Sequence, residues 1–294
     1  MNPLLGDRRA TLILIGPALL IYSVVMLVPI IVSFGYTLTS GNAITGFTFS
    51  GIENYQRLVT DTRVRDALLL TVRYAVLMTI LQVGFGYLLS LLYVFVLRKW
   101  SSAVRTLVFF PVVLPTVAVA LLFQQMFAIA PQNGLVNTAL EAVGLSSVDW
   151  FGDGGTAFLV IIVMDVWRSM GFYGVLLYAG LLDIPEEVFE SARIDGASGF
   201  GLVRRIVLPL SLPVLISSLI FSVNGTLKVF DSILALTNGG PGTSTSPLTI
   251  YMFDTSFRFG QYGYGSTVAF LLTVVSLLVT VFIFRANRRD LTKD

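Results

Sequence analysis

Two pairs of opposite charge lie inside otherwise apolar stretches of this sequence: Asp165 with Arg168, and Lys228 with Asp231, each three residues apart. On a helix that spacing puts both members on one face, where they can neutralise one another. An ionisable group in lipid costs about 2.5 to 3.5 kcal/mol on insertion scales, so such groups persist either as paired braces or because something polar passes them. For Asp165 and Arg168 the brace is the simpler reading. Asn224 stands one helical turn before Lys228 and extends that pair into a polar stripe. Asn224, Lys228 and Asp231 are therefore the candidate lining of a hydrated pathway. Tyr173 and Gln124 are further candidates, alongside Tyr178 and Gln125, although such groups at span edges also serve as interfacial anchors.

Composition removes most reaction chemistry. The 294 residues include no cysteine and no histidine, which excludes disulfides, thiolate nucleophiles, imidazole bases and the usual zinc and haem ligands. A Ser-Lys arrangement of Lys228 with Ser222 or Ser232 survives that filter, but Asp231 would keep the amine protonated and unfit as a base. No Gly-x-x-x-x-Gly-Lys-Ser/Thr run occurs, so no P-loop binds ATP here. No catalytic residue, cofactor or metal is expected on this chain. A net charge of +2 without a basic patch argues against nucleic acid as a partner.

The elements that must carry these residues are membrane spans. Hydrophobic residues make up 55% of the chain and charged ones 12%, about half the charged share of a soluble domain. A bilayer core of about 30 Å takes roughly 20 apolar residues as a helix, because lipid offers the backbone no hydrogen bonds. Six segments meet that test, near 12–34, 74–97, 107–130, 157–182, 210–236 and 267–284. The first follows Arg8 and Arg9, yet it is too long for a signal peptide and lacks a small-residue cleavage site, so it is expected to remain as a span. Arg8, Arg9, Arg98, Lys99, Arg105, Arg193, Arg204, Arg205, Arg285, Arg288, Arg289 and Lys293 then fall on one side, which the positive-inside rule makes cytoplasmic together with both termini. The outer stretches near 40–66, 131–156 and 237–262 read as loops long enough to meet a partner. Pro29, Pro111, Pro115, Pro209 and Pro213 punctuate the spans, and each can kink its helix. A single domain over 1–294 is the simplest organisation.

The most unusual cytoplasmic stretch runs from Asp183 through Pro185-Glu186-Glu187-Val188-Phe189-Glu190-Ser191-Ala192-Arg193 to Asp195-Gly196, and on to Ile206 and Leu208-Pro209. Pro185 suits a first helical turn, Glu186 and Glu187 complement the helix dipole, and Gly196 is a natural stop. A helix this short cannot stand alone: it must dock on a partner, lie on the membrane surface or pack against its own bundle.

This stretch, residues 183–209, resembles the EAA loop of binding-protein-dependent ABC importer permeases, through which they engage their ATPase. Glu190-Ser191-Ala192, Gly196 and Leu208-Pro209 carry the likeness, with serine in place of the middle alanine. Gly51-Ile52-Glu53-Asn54-Tyr55, Asn133-Gly134-Leu135-Val136-Asn137 with Trp150, and Asn238-Gly239-Gly240-Pro241 in the last outer loop are similar to the sugar-type branch, where the chain looks like the first of two homologous permeases. The resemblance implies an all-α, six-helix type I importer bundle in a bacterial or archaeal cytoplasmic membrane. It implies alternating access for a sugar or polyol, with a second permease, an ATPase dimer holding ATP and magnesium, and an extracytoplasmic solute-binding protein as partners. It also assigns ATPase coupling to Glu187, Phe189, Glu190, Ser191, Ala192, Asp195 and Gly196. A stand-alone secondary transporter is the alternative, and an unpaired buried carboxylate would be its sign.

Overall fold

Long apolar runs leave the backbone no partner but itself, and the computed structural model, which describes residues 8–129 and 131–288, is accordingly built of helices. Arg289 and Lys293 lie outside the described residues, as do the side chains of Arg8, Arg9, Arg98 and Arg288. In chain order the elements are α1 (Arg8–Tyr22), α2 (Val28–Tyr36), β1 (Thr39–Asn42), β2 (Gly46–Phe49), α3 (Glu53–Thr60), α4 (Thr62–Leu91), α5 (Ser101–Val113), α6 (Thr116–Met126), α7 (Leu135–Ala142), α8 (Gly154–Leu182), α9 (Glu186–Ile194), α10 (Gly199–Leu202), α11 (Leu208–Thr226), α12 (Asp231–Leu236), α13 (Leu248–Phe253) and α14 (Tyr262–Arg288).

Among the described residues, five helical stretches are long and apolar enough to cross a membrane: Ile13–Tyr36, Thr62–Leu97, Gly154–Leu182, Gly199–Thr226 and Tyr262–Arg285. The sixth expected span is not one straight helix. α5 and α6 meet at 95°, because Leu114 adopts an extended φ of −70° and ψ of 140° before Pro115, a position from which proline excludes helix. The fifth expected span also needs correction, since its helix stops at Thr226 rather than Leu236. Lys228 and Val229 donate to Gly225 and Thr226 in tight turns, Phe230 is non-helical at φ −144° and ψ −63°, and α12 restarts separately.

The described residues fall into two compact units, one formed by residues through Arg65 with Tyr251–Val274, the other by Asp66–Ile250 with residues from Val275 on. In the first, the outer stretch near 40–66 holds an unexpected hairpin, with Thr39 opposite Phe49 and Asn42 opposite Gly46. Asn42 Oδ1 accepts the amides of Ile44 and Thr45 at 2.8 and 2.9 Å and so closes the turn. Asn54 of the Gly-Ile-Glu-Asn-Tyr motif donates to the Thr37 and Thr39 carbonyls, both at 2.9 Å, so its role there is to staple the chain leaving α2.

In the second unit α8 is the axis. Half of its most apolar stretch is buried, against none of the first span's. Tyr74 and Met78 of α4, Val119 and Phe123 of α6, Ile161 and Met164 of α8 and Ile233 and Leu236 of α12 make one cluster. Gly171 lets α5 approach α8, since a Cβ there would lie 2.2 Å from the Val108 carbonyl oxygen.

Candidate functional site

The break between α11 and α12 carries the charges that the sequence singles out. Lys228 and Asp231 line a cavity of about 320 Å³ in the second unit, together with Tyr173, Asp165, Arg168 and the hydroxyls of Ser222 and Ser232. No ion pair joins Lys228 and Asp231 among the described residues. Their expected one-face spacing requires a continuous helix, and the helix ends between Thr226 and Asp231.

Neither Asn224 nor Gln124 lines that cavity. The Asn224 amide donates to the Ile220 carbonyl at 2.9 Å and to Thr280 Oγ1 at 3.1 Å, while the Thr280 hydroxyl is 3.2 Å from Asn224 Oδ1. It clasps α14 and is not on the cavity wall. Gln124 Nε2 donates to the carbonyls of Ala235 and Leu236 at 3.1 and 2.7 Å, which are among the final carbonyls that a helix leaves unpaired. It holds the far end of α12 in place.

Asp165 holds the near end. Its Oδ2 accepts from the Tyr74 hydroxyl at 2.6 Å and from Ser232 Oγ at 2.8 Å, which ties α4, α8 and α12 through one carboxylate oxygen. Arg168 Nε stands 4.0 Å from Asp165 Oδ1, an ion pair too long to be a hydrogen bond. At that distance the ion pair is loose, and tyrosine and serine do most of the bracing of Asp165. Gln82 Nε2 donates to Ser222 Oγ at 2.5 Å and reaches the Tyr173 hydroxyl at 3.4 Å, and Ser222 donates to Thr79 at 2.9 Å. The sequence reading passes over Tyr74 and Gln82 entirely. The one signal is the Gln82 amide inside the expected 74–97 span; Tyr74 stands at that segment's edge and carries none. The cavity thus offers hydroxyls, an amide, aromatic rings and both signs of charge, a set suited to binding a polar solute.

At the cytoplasmic motif, α9 forms as expected, with Glu186 and Glu187 in its first turn. Ala197 donates to the Ala192 carbonyl at 2.9 Å and Gly196 to that of Arg193 at 3.0 Å, a Schellman ending with Gly196 at φ +81°. Phe189 and Ala192 are corrected by the structure. They are buried against Leu181, Leu202 and Val207, with the Phe189 ring edge-on to Phe95 at 5.9 Å, so they anchor α9 to its own chain. Glu187, Glu190, Ser191, Asp195 and Gly196 are exposed.

The outer motif Asn238-Gly239-Gly240-Pro241 forms a closed loop. Asn238 and Gly239 take φ of 50° and 83°, and Thr245 returns to the Gly239 carbonyl through its amide at 3.2 Å and to that of Gly240 through its hydroxyl at 2.6 Å. In the first unit Asp61 is a similar tie that the sequence did not suggest. Burial pushes its carboxyl up, but the hydroxyls of Tyr264 and Tyr251 at 2.6 and 2.7 Å, with the amides of Arg63 and Val64, outweigh that and hold it below the ordinary 3.8.

Comparison with known proteins places this arrangement. The chain is 32% identical to the trehalose/maltose transport system permease protein MalF of Thermococcus litoralis, over 96% of this chain and 95% of that one. It is 32% identical to the sulfoquinovosyl glycerol transport system permease protein SmoG of Agrobacterium fabrum, over 99% and 93%. Its fold is shared with a chain of the bacterial alginate ABC transporter crystallised with an alginate pentasaccharide-bound periplasmic protein, at a TM-score of 0.84 and 23% identity, covering 95% and 94%. Residues 82–292 match the family described as the binding-protein-dependent transport system inner membrane component. With that match over more than half its length and relatives aligned nearly end to end, the chain belongs to this family of membrane permeases, as a translocation subunit of an ABC importer.

Proposed function

We propose that this permease imports a sugar or related polyol by alternating access, and that the cavity at the break between α11 and α12 is its solute site. In this reading a second homologous permease completes the pathway, and two ATPase subunits carrying ATP and magnesium drive it from the cytoplasm. A solute-binding protein delivers the sugar at the outer face of a bacterial or archaeal inner membrane. The names of the relatives point to saccharides. The observation that carries the reading is the cavity itself. Ser222, Gln82 and Tyr173 present donors and acceptors beside the ring of Phe172, with Lys228 and Asp231 facing the same space. A chain without a nucleophile and base in register has more use for such groups in binding than in reaction.

The test is ATP-dependent uptake by the complete transporter in proteoliposomes, over a panel of glucose, maltose, trehalose and lactose. Uptake of at least one is expected, and Lys228→Met should lower it about tenfold, since a hydrogen bond to a charged group contributes about 1.5 to 3 kcal/mol. Co-purification with the ATPase should be unchanged. Uptake by this chain alone, without ATPase, would establish the secondary-transporter alternative, and unchanged uptake by Lys228→Met would remove the cavity from the pathway.

A further inference from the structure

A second cavity, of about 500 Å³, opens in the same unit at the opposite end of α12. Asp231 and Ser232 at the start of α12 line the central cavity, whereas Leu236 at its end lines this outer one. Three residues of helix, Ile233 to Ala235, lie between Ser232 and Leu236, a rise of about 6 Å. The outer walls combine the side chains of Gln124 and Gln125 with the rings of Phe127 and Phe151 and the carboxylate of Asp149. Phe127 is fixed by stacking on Phe123 at 5.9 Å and meeting Trp150 edge-on at 5.2 Å. Asp149 spends one oxygen on the Gly152 amide at 3.0 Å, and the Gln125 amide has no hydrogen-bond partner among the described residues.

We propose that this outer cavity is a second saccharide subsite, in series with the central one across α12, so that the chain handles disaccharides or longer glycans with a sugar unit on each side. Aromatic rings cover the C–H faces of a sugar while an amide and a carboxylate address its hydroxyls, and these are the groups gathered here. Volume supports two sites in place of one. At about 320 Å³ the central cavity is near the floor of the roughly 300 to 1,000 Å³ typical of ligand pockets, so a larger solute needs further space. Position supports it too, because Gln124 both lines the outer cavity and holds the α12 carbonyls, putting an occupant beside the group that fixes the helix.

The inference rests on the saccharide reading of the central cavity, and cysteine protection separates the two. The chain has no native cysteine, so Gln125→Cys gives a single labelling site on it. In the purified complete transporter, without binding protein, millimolar amounts of maltose, trehalose, lactose and glucose are each tested for slowing of maleimide labelling at that site. The disaccharide that the transporter imports is expected to protect strongly, and to protect equally when Lys228→Met disables the central cavity. Phe151→Ala should weaken protection about fivefold, because it removes one of the two rings that line the cavity. Equal protection by glucose and the disaccharide would overturn the two-unit site. Labelling that no saccharide slows, while the binding protein alone slows it, would make the cavity a protein-docking surface and overturn the proposal, leaving the central site standing. Absence of saccharide uptake in the unmodified transporter would overturn both.

Discussion

Asp165 shows how one carboxylate oxygen can tie three helices together. Both donors to its Oδ2, Tyr74 and Ser232, are buried with it. Asp165→Ala strands two hydroxyls, and the loss of buried partners costs about 1 to 3 kcal/mol for each group left unpaired. A thermal unfolding midpoint in detergent clearly below that of the native protein is expected, together with weakened uptake, because α12 loses its near tie. Asp165→Asn, which keeps an acceptor oxygen, should recover most of the midpoint; equal loss in both variants would show that charge, and not the acceptor, matters. Asp61 offers a test by pH. Its folded carboxyl titrates below the ordinary 3.8, so the ionised form stabilises the fold above that value and the contribution fades as pH falls through the lower folded value. Asp61→Asn should therefore be less stable than the native protein at pH 7, with the difference shrinking below pH 3.8. A deficit independent of pH would mean that shape, not charge, makes that tie.

Among the elements, α9 divides its labour by face. Phe189 and Ala192 face inward, and Glu187, Glu190, Ser191 and Asp195 face out. Phe189→Ala should destabilise the chain itself, at about 3 to 5 kcal/mol for a fully buried ring and toward the low end at its 9% exposure, and should lower the yield of folded permease. Glu190→Lys should leave yield and unfolding unchanged but detach the ATPase in co-purification. Full ATPase recovery with Glu190→Lys would take the exposed face out of the interface. Gly196→Val should injure both readouts, since a left-handed position costs a side chain about 1 to 2 kcal/mol before any contact is considered. No neighbouring atom lies within 4 Å of a Cβ at Gly196, so the strain there is conformational and not steric crowding by the surroundings.

For the whole molecule, the two faces of the membrane are read from charge. A maleimide that cannot cross the bilayer should label a cysteine at Asn42 in intact cells and reach one at Ser191 only after permeabilisation, and labelling of both in intact cells would refute the assigned orientation. Much of this protein was legible before its coordinates. Membrane class, four of the six spans and the short cytoplasmic helix follow from runs of apolar residues, from where the basic ones fall and from cap residues such as Pro185 and Gly196, because backbone satisfaction in lipid and helix capping are local rules. Local periodicity does not reveal where a helix ceases to continue. Asn224 and Lys228 share a face only on paper: the turn after Thr226 is held by tertiary ties, from Thr249 to the Val229 carbonyl, from Asp165 to Ser232 and from Gln124 to the end of α12. Those partners come from α13, α8 and α6, and past the end of α11 Lys228 meets the cavity while Asn224, still within the helix, bonds Thr280. Phe189 likewise reads as a free apolar residue of an orphan helix until Leu181 and Phe95 are brought against it. Composition determined that such residues would be buried somewhere; only the packing of distant segments decided against what, because burial energy depends on the area covered and not on which neighbour covers it.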